Sequence, residues 1–231
     1  SGDLDKKAFS MSFKEIVTRH EVLRTIIRAV DGVGHQEVLL PNDWELSFKD
    51  MTTDTSVLSE DLKLFLSAPF DLGSDYMFRS QLYDLGDKEY VLAGVFHHIA
   101  SDGWSQGILI DEFMKLYGSY VSGKEIDLPS LSLQYADYAL WQREHLEGAF
   151  IDKQLSYWEH QLEGVSTLQL PKDYVRPAVR NISGANHFFE LDSTLSSGIN
   201  SFSREEGVTV FMTLLAVFKV LLSKYSGQED I

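Results

Sequence analysis

The run Phe96-His97-His98-Ile99-Ala100-Ser101-Asp102-Gly103-Trp104-Ser105 decides how the rest of the chain is read. Just before it, Glu89-Tyr90-Val91-Leu92-Ala93-Gly94-Val95 is apolar and rich in β-branched and aromatic residues, which reads as a buried strand. Just after it, Ile108, Leu109, Ile110, Phe113, Met114, Leu116 and Tyr117 recur at helical spacing and predict a helix over 105–121. Two histidines and an aspartate therefore stand where a strand ends and a helix starts. In layered α/β folds that junction presents side chains to a cleft. Imidazole titrates near neutral pH and suits proton transfer. Asp102-Gly103 favours a sharp turn, since Gly tolerates φ > 0 and lets another chain approach closely. Against this stands the plainer reading of a histidine beside an apolar strand, a hydrogen-bonded structural residue.

Composition narrows the function classes. The 231 residues carry 35 Asp and Glu against 20 Lys and Arg, a formal net charge of −15. Such a surface repels phosphate backbones, so nucleic acid is not an expected partner. Basic residues cluster only briefly, as Arg19, Arg24 and Arg28 on one expected helix and as Arg176 with Arg180 in a loop. Hydrophobic residues make up 44% and charged residues 24%, as in a globular chain long enough to bury a core. Cysteine is absent, which removes disulfides, thiolate zinc sites and a cysteine nucleophile together and fits a reducing cytoplasm. Residues 1–7 are polar and do not read as a leader. The longest apolar run, 208–222, is interrupted by Thr209, Thr213 and Lys219 and reads as a buried helix rather than a membrane span.

Along the chain, residues 8–29 predict a helix with a strand-like tail, 35–40 and 44–48 short strands, and 59–68 a helix ending before Pro69. Residues 77–97 alternate as a β-hairpin turning at Leu85-Gly86-Asp87. A second helical block starts near Leu131 and continues to Leu162, with Tyr135, Tyr138, Leu140 and Trp141 as expected core residues. Residues 165–184 contain Pro171 and Pro177, lack periodicity and read as a linker. Beyond it, 187–191 predict a strand, 193–206 a helix and 210–225 a buried helix.

The string His-His-x-x-x-Asp-Gly after a buried strand closely resembles the active-site signature of condensation domains of non-ribosomal peptide synthetases, a branch of the chloramphenicol acetyltransferase-like acyltransferases. Two further family motifs follow in register: Arg19-His20-Glu21-x-Leu23-Arg24-Thr25 upstream, and Tyr135-x-Asp137-x-Ala139-x-Trp141 downstream. On spacing alone the first is a solvated helix face with i,i+3 and i,i+4 charge pairs.

The resemblance implies an α/β (α+β layered) fold: a chloramphenicol acetyltransferase-like lobe whose mixed sheet is flanked by helices, plus the start of a second similar lobe. Residues 1–164 would form the first lobe, lacking its first segment. Residues 165–184 would be the inter-lobe linker and 185–231 the beginning of the second lobe, so exposed apolar surface is expected. The family's first motif and its Phe-Val-Asn-Thr motif have no counterpart in the chain, which resembles the middle of such a domain.

The implied activity is peptide-bond formation between two carrier-protein-bound thioesters, in the subtype joining an L-donor to an L-acceptor. His98 would take the amine proton or position the tetrahedral intermediate, and His97 would shape the loop. Asp102 would pair with an arginine, Arg19 before Arg24, and so brace the loop. Gly103 would keep a tunnel open to a phosphopantetheine arm, with Trp104 and Ser105 lining it.

No cofactor or metal is expected to bind directly. A metal held by His97, His98 and Asp102 is disfavoured because adjacent side chains on an extended backbone point apart. The implied partners are upstream donor and downstream acceptor peptidyl carrier proteins and an adjacent adenylation domain, with no nucleic acid or membrane, in the cytoplasm. The rival readings are an epimerisation domain, a non-catalytic recruitment domain of the same fold and a stand-alone acyl-CoA acyltransferase.

Overall fold

In a computed structural model, residues 2–175, 177–179 and 184–231 are described. Contacts divide the chain into two compact units, residues 1–150 and 151–231. The sequence reading put the division in 165–184, so the structure groups the last helix before that linker with the second unit. Arg176 and Arg180 lie outside the described residues.

The first unit opens with α1 (Lys6–Arg19), capped by Asp5, whose side chain accepts the backbone N–H of Ala8. A 3₁₀ turn (Glu21–Arg24) follows, then β1 (Thr25–Val30) and β2 (Val33–Val38), an antiparallel pair turning at Asp31 and Gly32. Arg19, Arg24 and Arg28 therefore sit on three different elements, not on one helix, because α1 stops at Arg19. β2 begins two residues earlier than expected, and β3 (Ser47–Asp50) starts three residues later. Trp44 and Leu46 are instead buried before the strand begins.

β3 pairs in parallel with β4 (Phe78–Gly86), which pairs antiparallel with β5 (Glu89–Phe96). The result is the expected mixed sheet, order β3-β4-β5. The predicted hairpin is present. Its two-residue loop, Asp87-Lys88, has both residues at positive φ, the geometry that matches strand twist.

Alternation along β4 separates two faces. Phe78 and Leu82 join Phe9, Ile16, Val17, Leu23 and Leu116 in the larger core, under α1 and α3 (Gly103–Ser122). Tyr83 faces the other way with Met51 and Ala93, against Leu58, Leu62 and Phe65 of α2 (Leu58–Ser67). The sheet is thus covered by helices on both faces.

After α3, which ends on Gly123 at φ 66°, come α4 (Tyr135–His145) and α5 (Ala149–Gln161), separated near Gly148 at φ 60°. Tyr135, Tyr138, Leu140 and Trp141 are about half exposed, so the helix does not bury them as core.

In the second unit, α6 (Ser193–Glu205) and α7 (Val210–Ser226) meet at 105°. Residues 187–191 form no strand, since they have no ladder partner among the described residues. Helix α7 is present where predicted but is exposed, with Phe211 at 71% and Val217 at 63%. It lacks a sheet to pack on among the described residues of its unit. No single helix is long and apolar enough to cross a membrane among the described residues.

Candidate active site

The histidine turn hangs from the core by aromatic packing. Phe78 and Phe96 are cross-strand partners with ring centroids 4.2 Å apart, and Trp44 stacks on Phe78 at 5.4 Å while its Nε1 donates to the Phe78 carbonyl at 2.8 Å. β5 ends at Phe96, and residues 98–100 turn toward α3.

His97 is committed to that turn. Its N–H donates to the Met77 carbonyl at 2.9 Å, and its carbonyl accepts the Ala100 N–H at 3.0 Å. Its ring Nδ1 accepts the Ile99 N–H at 3.1 Å, which leaves the proton of a neutral ring on Nε2. The ring also packs edge-on against Phe70, with centroids 5.6 Å apart. His98, one residue later, is exposed and makes no hydrogen bond among the described residues. The turn thus holds the His97 ring and leaves the His98 ring without a hydrogen bond among the described residues.

Asp102 has a different job from the one expected. It is the N-cap of α3: its Oδ1 accepts the Ser105 N–H at 2.9 Å and the Ser105 hydroxyl at 2.7 Å. These bonds hold its carboxyl below the ordinary aspartate range, the backbone N–H contributing most. Asp102 is exposed and does not pair with Arg19. Short backbone geometry at a helix start satisfies its carboxylate without a cation.

Arg19 turns to Glu112 instead, with Nε 3.1 Å from Oε1. Arg24 anchors the strand entry: its guanidinium donates to the Leu39 carbonyl at 2.5 Å and to Glu21 at 3.2 Å. Both arginine side chains are only 11% exposed, so the solvated-face reading of this segment does not hold.

Gly103 is the first residue of α3 and does not adopt positive φ, so the turn does not require it. A Cβ built there meets nothing within 4 Å. Trp104, next to it, is 85% exposed, and Ser105 serves the cap. Sequence reasoning missed Glu112. Its signal was the helical spacing that puts Glu112, unlike its neighbour Asp111, on the buried stripe of α3 with Leu109, Phe113 and Leu116, where a carboxylate needs a cation.

The family model described as "Condensation domain" matches residues 1–231. The chain is 42% identical over 236 residues to one component of the linear gramicidin synthase of Brevibacillus parabrevis, covering 100% of the chain and 5% of that protein. It is 36% identical over 231 residues to bacitracin synthase 3 of Bacillus licheniformis, covering 100% of the chain and 4% of that protein. Among solved structures, the X-domain from teicoplanin biosynthesis superposes with a TM-score of 0.87 at 26% identity, covering 97% of this chain and 50% of that one. The chain therefore spans a small fraction of these synthases and half of that domain.

Proposed function

The chain belongs to the condensation-domain family of non-ribosomal peptide synthetases, and from that premise we propose that it takes part in joining two carrier-bound thioesters through an amide bond, with His98 at the reacting amine. In that step the acceptor amine attacks the donor thioester carbonyl. The C–N bond forms, the C–S bond breaks, and the proton shed by the amine ends on the departing thiol.

The observation that carries the reading is the asymmetry of the pair. His97 is spent on the turn, while the His98 ring is exposed and uncommitted at the strand-to-helix junction. His98 either takes the amine proton or orients the tetrahedral intermediate. The open space at Gly103 and the exposed Trp104 support an approach for a phosphopantetheine arm along the start of α3. Its bearers would be donor and acceptor peptidyl carrier proteins beside an adenylation domain, in the cytoplasm. Joining an L-donor to an L-acceptor is the subtype we assign, on the Ser-Asp-Gly-Trp-Ser sequence of the turn.

The test is condensation with loaded donor and acceptor carrier proteins, read by mass spectrometry, with His98→Ala alongside. Amide product that disappears in the variant is expected. Equal product from both proteins removes His98 from the reaction, and donor epimerisation without transfer replaces condensation by epimerisation.

A further inference from the structure

Away from the histidine turn, three ionisable side chains meet under cover. The Glu112 side chain, 10% exposed on the inner face of α3, receives Arg19 Nε on one oxygen at 3.1 Å and faces His20 Nε2 with the other at 2.6 Å. Both partners belong to the point where α1 ends. Gln134 closes the group from the start of α4: its Nε2 donates to the Arg19 carbonyl at 2.9 Å, and its Oε1 accepts the Glu21 N–H at 3.2 Å.

This cluster reaches the histidine turn from both sides. On one side, the Met77 N–H donates to the Leu23 carbonyl at 2.8 Å, and the Met77 carbonyl in turn accepts the His97 N–H at 2.9 Å. On the other, Glu112 lies on the helix that Asp102 caps, about 13 Å along its axis from Gly103. The segment that follows α1 therefore holds both flanks of the turn.

We propose that Glu112 is a positioning residue, which fixes α3 against the end of α1 and thereby sets the placement of the His97-His98 turn. Hydrophobic residues in place of the whole group would fill the same volume, often at no cost in stability, whereas loss of Glu112 alone leaves Arg19 and His20 under cover without their partner. Two oxygens held by two donors from successive residues fix the rotation and axial height of α3 as well. The effect on turnover rests on the function proposed above; the effect on the turn does not.

The test is the imidazole proton–nitrogen NMR spectrum of the 231-residue chain, which has seven histidines. Glu112→Ala is expected to displace the His97 and His98 ring signals and to leave those of His35, His145, His160 and His187 in place. Glu112→Gln keeps an acceptor for Arg19 and a polar partner for His20, and is expected to return the two displaced signals toward wild type. In the condensation assay, Glu112→Ala should lower kcat by about 10- to 100-fold with KM unchanged. A lower melting temperature with wild-type His97 and His98 signals would leave Glu112 as a brace only and overturn the proposal. Should Glu112→Ala not fold, Arg19→Lys, which keeps the charge but loses the planar fork, must move the same two signals; unmoved signals overturn the proposal equally. An inactive wild type counts against the proposed function, while the spectra still decide the role of Glu112.

Discussion

Asp102 and Ser105 close a reciprocal cap: the Asp102 carboxylate accepts the Ser105 N–H at 2.9 Å, while the Asp102 N–H donates to the Ser105 hydroxyl oxygen at 3.3 Å. The aspartate of the signature is thus engaged by its own helix, where the positive end of the helix dipole also favours its charge. Its service to the histidines is to fix where α3 begins.

Asp102→Ala should lower the thermal midpoint followed by circular dichroism, and Asp102→Asn, which keeps a capping oxygen, should recover most of the loss. The carboxyl is held below the usual aspartate range in the folded chain. Its contribution is therefore complete above the unfolded pKa and is lost as pH falls through the lowered folded value. Melting curves of wild type and Asp102→Ala should converge at acid pH.

The two histidines should separate by stability. His97→Ala loses the acceptor for Ile99 and the packing on Phe70, and should cost about 1 kcal/mol in urea unfolding. His98→Ala, at an exposed ring, should stay within about 0.5 kcal/mol of wild type. Equal losses would show that the turn uses both rings.

Gly103→Ala should fold as well as wild type or slightly better, because the site has room for a Cβ and alanine favours a helix. Turnover with carrier-bound substrates should fall, since the methyl group would stand in the proposed path of the pantetheine arm. Unchanged turnover would remove that path from the start of α3.

Tyr83 should resist ionisation. Burial, reinforced by donation to Asp61 Oδ2 at 2.9 Å, pushes its hydroxyl up to about 12. In an ultraviolet titration it should ionise after the exposed tyrosines. Because the unfolded chain releases this proton nearer pH 10, the stabilisation is complete below that pH and declines as pH rises toward 12. Tyr83→Phe should flatten that decline.

Phe78→Ala should cost roughly 3–5 kcal/mol by denaturant unfolding. The ring is 2% exposed and stacks on both Trp44 and Phe96. The same variant should loosen the base of the histidine turn.

The hairpin, α2 and α3 were legible because local periodicity writes them: β4 alternates between two cores, and Leu109, Phe113 and Leu116 recur on one stripe. The partner of Arg19 was not, because it depends on which turn of α3 lies beside α1, and that is set by packing across 93 residues. The expected strand at 187–191 had suitable residues, but a strand exists only with a neighbour. The aromatic residues of α4 and α7 were read as core because sequence records hydrophobicity and not which faces are covered.

The hairpin also acts as a ruler. Gly86 pairs with Glu89 across a loop of only two residues, Leu85 is the single extra residue of a bulge, and the ladder then runs without a break to Phe78 and Phe96. The position of His97 is therefore counted from the turn. One residue added to β5 would swap its faces, sending Phe96 to the α2 side and away from Phe78. A change in length between residues 78 and 97 would have to be taken up as a bulge, as Leu85 is, or matched by a paired insertion that restores the count.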